Sequence, residues 1–346
     1  MSPLAVNLSD RAPGLPEPAD YFPLERGRYE VQAGLKILGQ QSVQGIVEHH
    51  HFTQDGLLPQ YLRNKQANMQ LAPERYHPPH EMAAALGAEV LSWWLGKLNE
   101  DFPGRFAQER ASTGALRLQD SWTGWQLTFD EADNVVAASC SAEPRQGFEG
   151  LDLGMLAGRS ALDALACLVA EDVAIVRREP PDGRDRLVWI HLNCPNHWSA
   201  AEKMGKDFLA VHQPVADFGN IAKAADRILD AMIHKGPFIR FAWGVATDTV
   251  LDHHPDSPAG RALGDMTPEG ALAGTWLRIE RQTLRGFPGH DAALFTIRTY
   301  FLPVARVAKD ADRRDLLRDA ILSISPDALR YKGIAPYRNL LLSALS

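Results

Sequence analysis

The second half of the chain carries five short β-rich runs, and their order limits the fold more than any other feature. Runs at residues 173–178 and 186–192 flank the turn-forming sequence EPPDG and predict a hairpin. Three further runs follow at residues 238–246, 275–284 and 293–302. Two helical segments separate the groups. Because most of the links are of hairpin length, the order predicts antiparallel strands and an α+β fold.

The two helices between the groups of strands have readable limits. The first is predicted from Ser199 to His212, because Ser199 precedes Glu202 by three residues, as in a capping box, and Pro214 prevents continuation. The second is predicted over residues 220–233, with apolar residues at helical spacing. This order of elements matches a PAS-like module, which is a five-stranded antiparallel sheet with helices on one face.

The rest of the chain is predicted to surround this module. Residues 1–20 include four prolines and are expected to form a flexible arm. Residues 21–150 are expected to be mainly helical, with a hairpin that begins at Trp125, and to wrap the sheet. The PAS-like core is assigned to residues 151–308, and C-terminal helices to residues 309–346.

Charge and cysteine content exclude several classes of protein. The chain has 36 basic and 43 acidic residues, and a net charge of -7 gives no field that would hold nucleic acid. Cys140, Cys167 and Cys194 are each 27 residues apart, so no CxxC pair or disulfide framework is expected. The N-terminus has no targeting pattern, and no window reaches the roughly 18 apolar residues of a membrane span. A cytoplasmic protein is expected.

The hairpin between Thr275 and Leu302 has two chemically different faces, since side chains alternate along a strand. A turn centred near Gly289 would pair Arg278 with Tyr300, Glu280 with Arg298, and Gln282 with Thr296, all on one polar face. The opposite face would be mainly apolar. The polar face is interpreted either as a solvated surface or as a covered site for a small cationic or oxygen-bearing ligand.

A histidine at the end of the first helix is the main candidate for holding a metal. Met204, Phe208 and His212 are spaced by four residues, so the predicted helix would carry an apolar stripe that ends in an imidazole. Neutral imidazole in an apolar pocket commonly holds haem iron, although a buried structural histidine has the same pattern. Cys194 and His197, in the sequence CPNHW, are the alternative ligands.

Other histidine clusters and common motifs carry less information. The run at residues 49–51 and the pair His253 and His254 are predicted to lie on the surface. GxGxxG, GxxxxGK[ST], HExxH and GxSxG are all missing, so the local signatures of dinucleotide, phosphate-loop, zinc-protease and hydrolase sites are absent.

Several segments together resemble the haem-binding oxygenase subunit, or alpha subunit, of haem-dependent oxidative N-demethylases and its bacterial relatives. These segments are YFPLERGRYEVQAGLKIL, LVAEDVAIV, CPNHWSAAEKMGKDFLAVHQPV, RIERQTLRGFP with LFTIRTY, and YKG. The family's IHxPVP pattern corresponds to VHQPVA, which places its histidine at His212 and Ala216 at its last proline. The resemblance implies haem b held by His212, and Phe208, Met204 and Trp243 are the candidate residues around it.

The resemblance also implies a reaction. A haem-dependent monooxygenase of this kind removes a methyl group from a small methylated amine such as dimethylamine, using O2. Electrons would come from a partner reductase carrying FMN, a 2Fe-2S cluster and an NADPH site, and a folate-binding subunit would complete a hetero-oligomer. Glu280 would attract the protonated amine, while Arg278, Arg298 and Tyr300 would polarise bound oxygen. The alternative is a non-catalytic haem-binding PAS-like sensor.

Overall fold

The computed structural model describes residues 4–43, 45–112, 114–179, 183–213, 216, 219–257 and 267–346. The β-strands in these ranges are β1 (Lys36–Ile37), β2 (Ser42–Val43), β3 (Ile46–Val47), β4 (Phe106–Arg110), β5 (Leu116–Asp120), β6 (Trp125–Phe129), β7 (Val135–Cys140), β8 (Asp172–Glu179), β9 (Arg184–His191), β10 (Phe238–Ala246), β11 (Trp276–Phe287) and β12 (Ala292–Pro303). The α-helices are α1 (Leu58–Leu71), α2 (Pro73–Tyr76), α3 (Ala84–Asp101), α4 (Ala161–Ala166), α5 (Ala200–Lys203), α6 (Phe208–His212), α7 (Gly219–Ala222), α8 (Ala225–His234), α9 (Pro268–Ala273), α10 (Val304–Val307), α11 (Ala311–Ser323), α12 (Pro326–Tyr331) and α13 (Arg338–Ala344). None of these helices combines the length and apolar composition that crossing a membrane requires.

The main sheet is antiparallel and has the strand order β1-β10-β11-β12-β8-β9. All five strands predicted in the second half of the chain lie in it, so the predicted α+β class with an antiparallel sheet is confirmed. The two-residue strand β1 adds a sixth member at one edge, where Lys36 and Ile37 pair with Ile239 and Phe238. A separate four-stranded sheet, β4-β5-β6-β7, contains the hairpin predicted from Trp125.

The register of the β11–β12 hairpin differs by one residue from the prediction. Phe287 pairs with Ala292, so the loop is residues 288–291, an even number, and Asp291 adopts a left-handed conformation at φ 51°. Opposite residues in an antiparallel pair share a face. The observed partners are Arg278 with Phe301, Glu280 with Thr299, Gln282 with Ile297, Ile279 with Tyr300, Arg281 with Arg298, and Thr283 with Thr296.

This shift overturns the prediction of one shared polar face, because a one-residue slip moves a whole strand to the other side of the sheet. The surface that carries Arg278, Glu280 and Gln282 is called the front face here. The opposite surface, which carries Arg298 and Tyr300, is called the back face.

The back face is covered by the N-terminal region and by the C-terminal helices. Next to β8, α1 and α3 belong to one apolar core that includes Trp94, Ile175 and Leu294. Nearer β10, α11 packs Leu317 and Ile321 against that face. One core therefore joins the N-terminal helices directly to the sheet, and the proposed boundaries at residues 150 and 308 stay predictions.

The predicted arm at residues 1–20 makes specific contacts in its described part. The backbone N–H of Val6 donates to the carbonyl of Thr249 at 2.9 Å, and Ala12 donates to Gly56 at 2.8 Å. Val6 and Ala12 are also buried in the main core. These contacts place the segment against α1 and the loop after β10.

Helices α5 to α8 lie on the front side of the sheet. Helix α8 packs Leu229 and Met232 against Leu284, and it approaches closely because Gly286 has no side chain. A Cβ at Gly286 would lie 1.9 Å from the carbonyl oxygen of Ile233. Any larger residue at this position would therefore push the helix off the sheet.

The prediction of one continuous helix from Ser199 to His212 is wrong, because the segment forms two short helices. The chain leaves the helical conformation after α5, and Gly205 has φ 74°. A new helix, α6, follows the N-cap residue Asp207, whose carboxylate accepts from the N–H of Ala210. Ser199 is the N-cap of α5, but its side chain makes no capping bond. The predicted second helix is likewise divided, into α7 and α8.

A buried ion pair joins the N-terminal region to the back face and provides a test of the register. Asp55→Ala should lower the free energy of unfolding by about 3–5 kcal/mol, because Arg298 would remain buried without its partner, 2.6 Å away. Urea unfolding followed by circular dichroism measures the loss. Asp327→Ala, in an exposed pair with Arg330, is the control and should change nothing measurable. A loss below about 1 kcal/mol in Asp55→Ala would contradict the buried pairing.

Candidate functional site

A polar group with a carboxylate lies on the front face between the central strands. Arg240 of β10 is directly opposite Gln282, and Gln282 Nε2 donates to Glu280 Oε2 at 2.8 Å. Glu280 is half-buried, and the Nε of Arg240 is buried with no hydrogen-bond partner. The group therefore offers an anionic oxygen and an unsatisfied cationic donor on one surface.

The neighbouring positions on β10 are small, which leaves room above the sheet. Ala242 and Gly244 alternate with Arg240 on the front face and pair with Glu280 and Arg278. A Cβ placed on Gly244 would meet no heavy atom of the described residues within 4 Å. The front face thus has open space beside its polar group.

Helix α6 places His212 on the same side of the sheet. The helix is fixed there by Asp185 of β9, which accepts from the N–H of Phe208 at 2.6 Å. His212 Nδ1 lies 2.8 Å from the carbonyl oxygen of Phe208, and since a carbonyl can only accept, Nδ1 carries the proton. The lone pair of the neutral ring is then on Nε2.

The environment of His212 favours its neutral form. Burial lowers the pKa of the imidazole, and the nearby charges of Arg240 and Lys203 lower it further. His212 is therefore a neutral nitrogen donor at physiological pH. Its ring centroid is 4.4 Å from that of Phe208, so the predicted pairing of these two residues is present.

The other predicted cofactor contacts lie elsewhere. Met204 follows α5 and packs near Leu187 and Ile190, in a cluster that does not include Phe208. Trp243 is opposite Ile279 and therefore faces the back of the sheet. The sheet thus separates Trp243 from the side on which His212 lies.

The two alternative iron ligands lie in the segment after β9. Cys194 is buried, and burial raises the pKa of its thiol well above the usual value, which opposes formation of a thiolate. His197 has φ 63°, its ring is 5.0 Å from that of His253, and burial lowers its pKa. His212, by contrast, lies in α6 on the front side of the sheet, with its proton on Nδ1.

Arg278 is on the front face, where both of its terminal nitrogens donate to backbone carbonyls and its Nε is buried without a hydrogen-bond partner. Its Nη2 donates to the carbonyl oxygens of Cys194, Pro195 and Leu251 at 2.8, 3.1 and 3.1 Å, and its Nη1 donates to that of Val250 at 3.0 Å. The side chain is only 2% exposed. These contacts hold two loops together at the end of the sheet.

Arg298 and Tyr300 lie on the back face, where they contact residues of the N-terminal region. Arg298 donates to Thr53 and Asp55, and Tyr300 Oη lies 3.0 Å from Thr53 Oγ1. Tyr21, Thr53, Asp55 and Tyr300 border a cavity of about 220 Å³. The structure therefore places Arg240 where its charge acts on both Glu280 and His212, and places Arg298 and Tyr300 on the other face of the sheet.

The prediction that five histidines lie on the surface is confirmed for His49 and His50, which are exposed, and is wrong for the other three. His253 and His254 are 3% and 6% exposed, and His253 Nε2 lies 2.8 Å from Asp248 Oδ1. His51 is 2% exposed and its Nδ1 lies 3.0 Å from Thr283 Oγ1 on the back face. Sequence adjacency gave no sign that neighbouring loops and the N-terminal region bury these rings.

Two functional candidates escaped the sequence interpretation. Arg240 could have been found from alternation along β10, which places it on one face with residues 242 and 244. Asp163, Cys167 and His191 form a buried group of possible metal ligands, the one such group among the described residues. The spacing of four between Asp163 and Cys167 was a visible signal, but their approach to His191 depends on tertiary structure.

Comparison with known families identifies one family that the chain matches over most of its length. The model of the family described as haem-dependent oxidative N-demethylase, alpha subunit-like, matches residues 42–342. The match includes strands β2 to β12, α6 and the C-terminal helices as far as residue 342.

The burial of His51 predicts a pH dependence of stability. Burial lowers its pKa to about 3, so the folded ring stays neutral while the unfolded ring takes up a proton below its ordinary pKa of 6.5. The stabilisation is complete above pH 6.5 and is lost as pH falls toward 3. Urea unfolding between pH 7 and pH 4 should show that His51→Asn has a shallower decline than the wild type, by up to one proton. His234→Asn, at an exposed helix end, should keep the wild-type slope, and equal slopes in all three proteins would refute the assignment.

Proposed function

This chain belongs to the haem-dependent oxidative N-demethylase alpha subunit-like family, and we propose on that basis that it is the haem-binding, oxidising subunit of a multi-subunit N-demethylase. The observation that carries the proposal is the juxtaposition of His212, Arg240 and Glu280 on the open front face. The reaction would be the oxidative removal of a methyl group from a small methylated amine.

We also propose that the sheet and the helices α5 to α8 form a PAS-like module. Apart from β1, the strand order is β10-β11-β12-β8-β9, with two strands before the helices and three after them. The helices lie on one face, as such a module requires. The front face would then be the surface on which the ligand is held.

The chemistry of the residues present fits haem b. His212 supplies a neutral imidazole whose Nδ1–H is fixed by a carbonyl, which is the arrangement that orients histidine ligands toward a metal. Arg240 has a buried Nε without a partner, and it would neutralise an anionic carboxylate of the kind that haem carries. Small residues at positions 242 and 244 leave the sheet surface accessible to a flat group.

Haem bound here would supply the iron that activates dioxygen for attack on the methyl group. Glu280 would bind the protonated amine through its carboxylate, while Gln282 holds that carboxylate in place by donating to Oε2. Ile297 and Phe295, which are half-buried on the front face, would contact methyl groups and exclude water. Dimethylamine fits these requirements in charge and size.

The other predicted catalytic residues receive different roles in this proposal. Arg278 would act as a positioning residue, because its donors hold the segment that contains Cys194 and Pro195. Arg298 and Tyr300 would support the back face and its cavity. A sheet one backbone thick separates them from Glu280, so all four side chains cannot surround one small substrate.

Electron balance requires a partner. Conversion of a methylamine and O2 to the demethylated amine, formaldehyde and water consumes two electrons and two protons. We propose that a reductase subunit with FMN, a 2Fe-2S cluster and an NADPH site supplies the electrons, and that a folate-binding subunit accepts formaldehyde. A family named for an alpha subunit is consistent with such a hetero-oligomer.

The proposed iron ligand can be tested by spectroscopy. His212→Ala should lose the ferric absorption spectrum of the reconstituted wild type and most of its bound haem, because the neutral nitrogen donor is removed. Added imidazole should restore the spectrum. Cys194→Ala and His197→Ala are the matched controls and should retain it. An unchanged Soret band in His212→Ala, with loss of the band in either control, would move the ligand to that residue.

The proposed amine site predicts a specific kinetic effect. Glu280→Gln preserves shape but removes the charge, so the KM for a methylated amine should rise about 10- to 100-fold, as expected for loss of a hydrogen bond to a charged group. Formaldehyde release with a surrogate reductase measures the effect, and haem content should be unchanged. Glu202→Gln on exposed α5 is the control. Haem binding without any amine-dependent formaldehyde in the wild type would instead support the sensor.

A further inference from the structure

A second group of metal-ligand side chains lies in the apolar interior, on the back side of the sheet. Asp163 is in α4, Cys167 directly follows that helix, and His191 is the last residue of β9. Their exposures are 3%, 1% and 0%. Because His191 pairs with Val173, its side chain belongs to the back face and is separated from Glu280.

We propose that Asp163, Cys167 and His191 bind a divalent zinc ion that links α4 to the end of β9. One ligand atom from each residue lies within 4.8 Å of the other two. Asp163 and Cys167 are four residues apart, so a helical turn brings them to one side, and the sheet supplies the third ligand. Carboxylate, thiolate and imidazole are all normal zinc ligands.

The distances between these atoms agree with the edges of a zinc tetrahedron. His191 Nε2 is 3.6 Å from Cys167 Sγ and 3.0 Å from Asp163 Oδ1. Tetrahedral bonds of usual length would place nitrogen about 3.5 Å from sulfur and about 3.3 Å from oxygen. Small side-chain adjustments would therefore close the site, without movement of the backbone.

Two buried oxygens beside His191 have no well-directed hydrogen bond. Asp163 Oδ2 accepts from Arg159 at 2.9 Å, whereas Oδ1 has no well-directed hydrogen bond despite its distance from His191. Asn193 Oδ1 is also buried without a partner, and its amide nitrogen is 3.0 Å from His191 Nδ1. A buried acceptor without a partner is costly. Zinc would satisfy the carboxylate oxygen.

The amide of Asn193 also determines which ring nitrogen can bind metal. Rotating the amide by half a turn would exchange its nitrogen and oxygen, after which His191 Nδ1–H would donate to Asn193 Oδ1. His191 Nε2 would then carry a lone pair directed at the same space as Asp163 Oδ1 and Cys167 Sγ. Such a hydrogen bond to the second ring nitrogen is the usual support of a histidine ligand.

The geometry does not fit a nucleophilic triad. A thiol and a carboxylate that act through one histidine must contact opposite ring nitrogens. Here Cys167 Sγ and Asp163 Oδ1 both approach Nε2. Burial raises the pKa of Cys167 to about 12, so without metal it remains a thiol, and zinc binding would release its proton to solvent. The fourth position would be occupied by water or by His77, whose ring centroid is 5.6 Å from that of His191.

Metal analysis of the full chain tests this inference separately from haem binding. The wild type, produced in zinc-supplemented medium and dialysed against EDTA, should retain one zinc ion per chain by mass spectrometry. Zinc-edge X-ray absorption should show one sulfur neighbour at about 2.3 Å, with nitrogen and oxygen neighbours nearer 2.0 Å. The zinc absorption edge lies at a different X-ray energy from that of iron, so the measurement does not depend on whether haem is bound.

Variants identify the ligands. Cys167→Ala and His191→Ala should each contain at least fivefold less zinc per chain than the wild type. Cys194→Ala, which alters another buried cysteine, should contain as much zinc as the wild type. The zinc-edge X-ray absorption spectrum of the wild type tests the proposed ligands even where a variant fails to fold. The proposal would be overturned if the wild type contained no bound zinc, both as purified and after refolding in the presence of zinc. Bound zinc without a sulfur neighbour, or zinc lost only from Cys194→Ala, would also overturn it.

Discussion

The four-residue connection between β11 and β12 decides which side chains can act together in this protein. With residues 288–291 in the loop, Ile279 lies opposite Tyr300 and Glu280 lies opposite Thr299. A loop of odd length, centred on Gly289, would have reversed the orientation of one strand relative to the other. The buried pair formed by the Thr283 and Thr296 hydroxyls, 2.6 Å apart, is consistent with the observed register.

Each face of the sheet consequently has a distinct chemistry. On the back face, Arg281 pairs with Glu48 and Arg298 pairs with Asp55, and the two partners in each pair are more than 200 residues apart in the chain. These pairs are worth little compared with two well-packed apolar pairs, but losing one partner would leave a buried charge. They make the position of the N-terminal region on the sheet specific.

The front face has the opposite character, with small residues and open space beside polar groups. Helix α6 is short and partly exposed, and the Nδ1–H of its histidine donates to the backbone carbonyl of Phe208. In the proposed function, Arg240 and Glu280 would complete a surface for a planar anionic cofactor and a small cation. The proposed zinc site lies across the sheet from this surface, so it would stabilise the scaffold without touching the reaction.

The sequence alone determined the elements whose signals are local. Turn residues and β-rich runs identified all five main strands. The VHQPVA segment made His212 a candidate through its resemblance to a family pattern. Only the tertiary structure decided the pairing register, because it depends on how many residues the turn at 288–291 uses and on what each face must bury. The burial of His51 and His253, and the approach of His191 to Asp163 and Cys167, also arise from segments far apart in the chain. Such long-range contacts leave no periodic signal in the sequence, since they are selected by packing of the whole core.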